Sequence, residues 1–240
     1  MIEAVTLDLW NTLFADRNYT DFRVNYLEVA LKEYNIIRSH DEVLGAYNSA
    51  RELAREIREG DDHRHPTMVE GVDYILEKID VYLPVDVKTT LIKLFEEALW
   101  EDPPALNEGV IETLKVLRPR YRLGMISDSG ATPGRVLRDA LQELKILNFF
   151  SSTVFSNEVG FCKPHRAMFE ASLNELGVKP HEAVHVGDLL HTDVAGAKAM
   201  GMKAIWVKTM EPPGVVKWKP DYEVTELPQV VAILDEMDAR

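Results

Sequence analysis

The sequence predicts an α/β fold, a parallel sheet covered on both faces by helices, with an all-helical block inserted after the first strand. Three observations carry this expectation. Short apolar runs recur at 2–9, Tyr121–Ile126, Thr153–Phe155, Ala183–Val186 and Ala204–Val207. Helical periodicity separates the later ones, and strands alternating with helices imply right-handed parallel crossovers. Between residues 19 and 101 the pattern is helical throughout, with no good strand.

The elements follow in order. Residues 2–9 form a buried strand. Tyr26, Leu27, Ala30, Leu31 and Tyr34 give the i, i+4 spacing of a first amphipathic helix. Val43, Leu44, Tyr47, Ala50, Leu53, Ala54 and Ile57 give a second, with Ser39 or Asp41 as its cap. The polar run Asp61–Pro66 breaks the pattern. Met68, Val72, Ile75, Leu76 and Ile79 make a third helix, and Pro84 opens a fourth holding Leu91, Leu94, Phe95 and Leu99. Pro103 and Pro104 mark a boundary. Beyond it, helices are expected at 109–118, 133–146, 165–176 and 192–200, and Ala204–Val207 is the last clear strand. The expected division is a core of 1–15 and 105–240 with a helical insertion at 16–104.

The formal charge of −13 argues against nucleic acid or a polybasic membrane contact, both of which require clustered Lys and Arg. An anionic substrate stays compatible, because one lysine and a metal ion can make a small site locally positive. Cys162 is the single cysteine, so no intrachain disulfide forms and a reducing compartment is expected. Glu3 and Asp8 interrupt the first apolar run, unlike a signal peptide, and no run of ~20 apolar residues exists to span a bilayer. The expected location is cytoplasmic. Nothing in the chain reports its oligomeric state.

In such a sheet, ligands bind beyond the carboxyl ends of the strands, and four strand ends carry suitable groups. The first presents Asp8, Trp10, Asn11 and Thr12, and the second Ser127 and Asp128. The third leads through a polar turn to Lys163, and the fourth presents Asp188, His191, Thr192 and Asp193. Asp8, Asp188 and Asp193 side by side would repel one another unless a hard cation joined them, and Mg²⁺ prefers such oxygen donors. A cation and a lysine can shield a phosphoryl group from an attacking carboxylate, while a serine hydroxyl holds another phosphoryl oxygen. Asp8 could then form an aspartyl-phosphate.

In this order the segments DLWNTL, ISDS, SNEVGFCKP and VGDLLHTDVAGA resemble the four motifs of the haloacid dehalogenase superfamily, across about residues 1–15 and 105–240. The inserted helices resemble that family's C1-type cap, and the resemblance implies a Rossmann-like core. It also implies that Asp8 is the nucleophile, that Ser127 binds the transferring group and that Lys163 orients and neutralises it. Mg²⁺ would be held by Asp8, the backbone carbonyl of Trp10 and Asp188, with Asp193 supporting. Trp10, Asn11 and Asp128 are further candidates to meet the substrate, a small phosphorylated metabolite; Asp128 could instead cap the helix that follows it.

One position departs from the pattern. Phosphatases of the family usually carry a second Asp two residues after the nucleophile, as general acid and base. Trp10 can do neither, since its indole N–H only donates. Three readings stay open: a phosphohydrolase whose leaving group needs little protonation or draws its acid from the cap, a metal-independent 2-haloacid dehalogenase, and a non-catalytic relative. The intact Gly187, Asp188 and Asp193 favour the first. His63 and His65 at the cap break could supply an acid or be a solvated loop. His191 could meet substrate or lie at the surface. Arg51, Arg55 and Arg58 read as a solvated helix face, Cys162 as a packed residue, and Trp206 and Trp218 as packing.

Overall fold

A computed structural model describes residues 1–209 and 217–239. Six strands form one parallel sheet: β1 (Ala4–Leu7), β2 (Arg122–Ser127), β3 (Ser152–Phe155), β4 (Ala183–Gly187), β5 (Lys203–Val207) and β6 (Tyr222–Val224), in the order β3-β2-β1-β4-β5-β6. The chain builds outward from β1 to β3, then returns to place β4 on the other side of β1. The carboxyl ends of β1 and β4 therefore flank the switch point, where a crevice opens. Their register sets Leu7 opposite Val186, and the Asp8 N–H donates to the Val186 carbonyl at 2.9 Å. Two aspartates, Asp8 and Asp188, thus leave adjacent strands side by side.

Both faces of the central strands are buried, which is why they read as continuous apolar runs. On one face Val5, Leu7, Leu123, Met125, Val184 and Val186 pack with α5 (Val110–Leu117), α6 (Gly134–Glu143) and α10 (Gln229–Asp238). On the other, Ala4, Ile126, Ala183 and Ala204 meet α8 (Arg166–Leu176) and α9 (Ala195–Met200). A single helical turn, α7 (Ser156–Val159), follows β3.

The insertion folds as four helices, α1 (Thr20–Glu33), α2 (His40–Glu59), α3 (Met68–Lys78) and α4 (Val85–Glu97). Ser39 caps α2 and Thr67 caps α3, each in a reciprocal box with the Glu three residues on. Pro84 sits at the N-cap of α4, one position earlier than expected. The helices bury a cluster of their own that includes Leu27, Leu31, Val43, Val72, Ile75, Leu91 and Phe95. At their root Tyr19, Ala98 and Leu99 join the core beside the sheet instead. Arg135 of α6 reaches across to Glu96 and Glu97 at 2.6 and 2.8 Å, and Arg64 bridges to Phe161 in a two-residue antiparallel contact.

Besides the single turn α7, two elements were not anticipated. β6 is a three-residue edge strand carrying an exposed Glu223, and an edge needs no apolar run to pair. α10 starts directly after Pro228. The helix expected at 192–200 begins as a widened π-turn over Leu190–Val194 and becomes regular only at Ala195. No helix among the described residues is long and apolar enough to cross a membrane.

Candidate active site

The crevice at the switch point is a cleft of about 490 Å³ between the strand ends and the inserted helices. Asp8 enters it directly after β1, 5% exposed. The backbone behind it turns sharply, with the Leu13 and Phe14 N–H groups both donating to the Leu9 carbonyl at 2.8 Å. That turn places Trp10 in the cleft wall, edge-on to Phe14 with ring centroids 5.6 Å apart. Asn11 takes a left-handed backbone (φ 61°), which Asn tolerates better than most residues. Its side chain is near enough to the Asp188 carboxylate to favour the charged form, and its carbonyl accepts from Asn107 Nδ2 at 2.9 Å.

Lys163 is the electrostatic centre. Its Nζ donates to Asp8 Oδ1 at 2.5 Å and to Asp193 Oδ1 at 2.6 Å, with the side chain 3% exposed. Burial opposes its charge, but Asp193 and Asp8 outweigh burial and raise its pKa, so it stays an ammonium. Asp128 accepts the backbone N–H of Lys163 at 2.9 Å, tying the loop after β3 to the end of β2. It does not cap α6, whose N-cap is Pro133 with no side-chain bond.

Asp193 is held from three sides. Its Oδ1 receives Lys163 and the Nε2 of His185 at 3.1 Å, and its Oδ2 accepts the Leu189 N–H at 3.0 Å. A carboxylate only accepts, so His185 carries its proton on Nε2 and takes the Thr6 hydroxyl on Nδ1 at 2.9 Å. Burial opposes ionisation of Asp193, yet Lys163 and His185 hold its pKa below the usual range. A Cβ at Gly187 would lie 2.3 Å from Asp193 Cγ, so only glycine leaves room for this carboxylate. Trp206 acts here too: its indole N–H donates to the Asp188 carbonyl at 2.8 Å, a role beyond packing.

The remaining carboxylates are under strain of charge. Burial, only partly offset by Lys163, pushes Asp8 well above the ordinary value, with Asp193 and Asp188 adding to the rise. Asp188, raised by burial and by Asp193, reaches about 7. One oxygen from each of Asp8, Asp188 and Asp193 lies within 4.8 Å of the others, so the three could hold a metal ion. The donor set is all oxygen, and one ammonium does not balance it, which is the setting that suits a hard divalent cation. Two buried hydroxyls nearby, those of Ser127 and Thr192, have no hydrogen-bond partner among the described residues. Buried hydroxyls are normally satisfied; that of Thr192 lines the cleft, while that of Ser127 is fully buried at the end of β2.

The structure thus brings Asp8, Trp10, Asn11, Asp128, Lys163, Asp188 and Asp193 to one cleft, with Ser127 buried at the end of β2 beside it. His63 and His191 also line it, and His63 Nδ1 lies 3.0 Å from the Arg58 carbonyl. His65 does not. It is 7% exposed, 3.0 Å from Ser156 Oγ, and burial lowers its pKa from 6.5 to about 4. Cys162 is buried, and burial pushes its thiol up to about 12, consistent with packing and not reactivity. Two cleft residues read differently from the sequence: Arg58 and Trp218 line the wall instead of lying on a solvated face or in packing alone.

Because His65 titrates lower when folded, the unfolded chain binds more protons between pH 6.5 and 4. Its neutral-ring contribution is complete above 6.5 and is lost as pH falls towards 4. The stability advantage of wild type over His65→Gln should therefore shrink by up to about 3 kcal/mol across that window in denaturant titrations. A difference independent of pH would show that His65 is not buried neutral.

Comparisons with known proteins agree with this geometry. A family model for haloacid dehalogenase-like hydrolases matches residues 2–201. A glyceraldehyde 3-phosphate phosphatase of Pyrococcus furiosus is 32% identical over 199 residues, covering 79% of this chain and 76% of that protein. The crystal structure of a HAD phosphatase from Thermococcus onnurineus superposes with a TM-score of 0.71 at 26% identity, over 97% of this chain and 98% of that one. A 2-haloacid dehalogenase from Pseudomonas syringae shares the fold, with a TM-score of 0.74 at 22% identity over 99% and 100% of the two chains. With four motifs meeting at one switch point and the family match running through all of them, the chain belongs to the haloacid dehalogenase-like hydrolases.

Proposed function

We propose that the protein is a Mg²⁺-dependent phosphohydrolase acting on a small phosphorylated metabolite, and that residues 16–104 are its cap. The observation that carries this reading is the buried set of Asp8, Asp188 and Asp193 around a single lysine. Metal-independent halide displacement has no use for three converging carboxylates, whose mutual repulsion is costly without a cation. The phosphatases among the relatives support the same reading.

In this account Asp8 attacks phosphorus, the P–O bond to the leaving group breaks, and an aspartyl-phosphate forms. Lys163 and the Ser127 hydroxyl bind phosphoryl oxygens, and Asn11 and Asp193 hold Asp188 and Lys163 in place. Mg²⁺, held by Asp8, Asp188, Asp193 and the Trp10 carbonyl, would neutralise phosphoryl charge. The leaving alkoxide takes its proton from water or from His63, since Trp10 has none to give. Water then attacks phosphorus, phosphate departs and Asp8 is regenerated.

Phosphate release from acetyl phosphate and p-nitrophenyl phosphate tests the reading. The expected result is turnover that stops on chelation, returns with Mg²⁺ and is absent in Asp8→Asn. Chloride release from 2-chloropropionate without metal, and no phosphate from any ester, would replace it with the dehalogenase reading.

A further inference from the structure

Beside the catalytic cleft, a second cavity of about 270 Å³ opens among α1, α2 and α3 and is closed on the core side by Gly130 and Ala131, which follow the second motif. Its lining is basic in a chain of net charge −13. Arg23, Arg51 and Arg58 all face it. Arg23 is 8% exposed and donates Nε to the Phe95 carbonyl at 2.9 Å and Nη1 to the Tyr47 hydroxyl at 3.4 Å. None of the three arginines forms an ion pair among the described residues, although Arg58 is near enough to Asp128 to favour its charged form and Arg23 lies over the Tyr19 ring.

That lack of partners is informative, because acids are close at hand. On α2 the neighbouring Glu52 and Glu59 are both taken by Arg55. The one acid in the cavity wall, Glu70, is bound by Arg64 at 2.9 Å and by the Thr67 N–H at 2.8 Å. Arg23 is the one buried guanidinium of the three, and burial without a counter-ion is costly there; guanidinium groups match carboxylate and phosphate in geometry. Arg58 lines both this cavity and the catalytic cleft, so the two spaces adjoin.

We propose that the arginine-lined cavity receives a second anionic group of the substrate, a carboxylate or a further phosphate carried on the leaving group. This rests on the phosphohydrolase reading and narrows it: the substrate is a small phosphorylated acid or bisphosphate, and Arg23, Arg51 and Arg58 select it.

The test compares matched pairs, 3-phosphoglycerate with glycerol 3-phosphate, and propanediol bisphosphate with propanediol monophosphate. Acetyl phosphate serves as the check on phosphohydrolysis itself. Wild type should favour the doubly anionic member of at least one pair by about tenfold or more in kcat/KM, as the loss of one charged hydrogen bond implies. Arg51→Gln and Arg58→Gln, at an exposed and a half-exposed position that should not compromise folding, should each collapse that preference, chiefly through KM. Equal rates within both pairs, or a preference that survives both substitutions, would overturn the proposal while acetyl phosphate turnover left the phosphohydrolase reading standing. No phosphate from any of the five compounds would remove both.

Discussion

Lys163→Met is expected to reduce phosphate release by about 10²–10³-fold, the range seen when one donor to developing transition-state charge is removed. The side chain is 3% exposed and bridges Asp8 and Asp193 at 2.5 and 2.6 Å. Without it two buried carboxylates face each other with no cation between them. Breaking a buried ion pair from one side costs about 3–5 kcal/mol, so the variant should also unfold at lower denaturant. Asp8, already raised by burial, would take up a proton in place of remaining charged, and a protonated Asp8 cannot attack phosphorus. Added Mg²⁺ should restore part of the stability and little of the rate, since the cation replaces the charge but not the hydrogen bond to Asp193. Activity within tenfold of wild type would mean that Lys163 is only a structural counter-ion.

Trp10→Asp is expected to raise the rate on alkyl phosphates relative to acetyl phosphate by about 10²-fold, the lower end of what a positioned general acid contributes. Acetate leaves without protonation, whereas an alkoxide does not, so the ratio isolates the proton. Trp10 already stands in the cleft wall on the turn that follows Asp8, so a carboxyl there would reach the same space. The substitution removes the edge-on contact with Phe14, a pairing worth about 0.5–1.5 kcal/mol, and the variant should be less stable. An unchanged ratio would place the proton donor elsewhere. His63 is then the residue to replace, because it lines the cleft while His65 is locked against Ser156.

Much of this was legible in the sequence, for identifiable reasons. A parallel strand buried on both faces is apolar along most of its length, so β1, β2, β4 and β5 stood out as runs, and the polar residues ending them stood out against the runs. β6 lies at the sheet edge with one neighbour, and three residues bounded by Asp221 and Thr225 give no run to see. Arg58 could not be read as a cleft residue, because α2 interleaves Arg and Glu around its axis and only the docking of the helix onto the core decides which one faces in. Arg55 pairs with its helix neighbours as expected; Arg58 does not. His185 did leave a signal, a ring between Val184 and Val186 in a fully buried strand, where a polar group needs a partner. The partner, Asp193, lies beyond the strand and is brought back only by the widened turn at Leu190–Val194.

As the nucleophile, Asp8 should become phosphorylated during turnover. Acid quenching of the Mg²⁺-loaded protein with acetyl phosphate, followed by peptide mass mapping, tests it most directly. One phosphoryl group is expected on the peptide containing Asp8, sensitive to hydroxylamine and absent from Asp8→Asn. Steady phosphate release with no modified Asp8, or with the phosphoryl group on another residue, would contradict it.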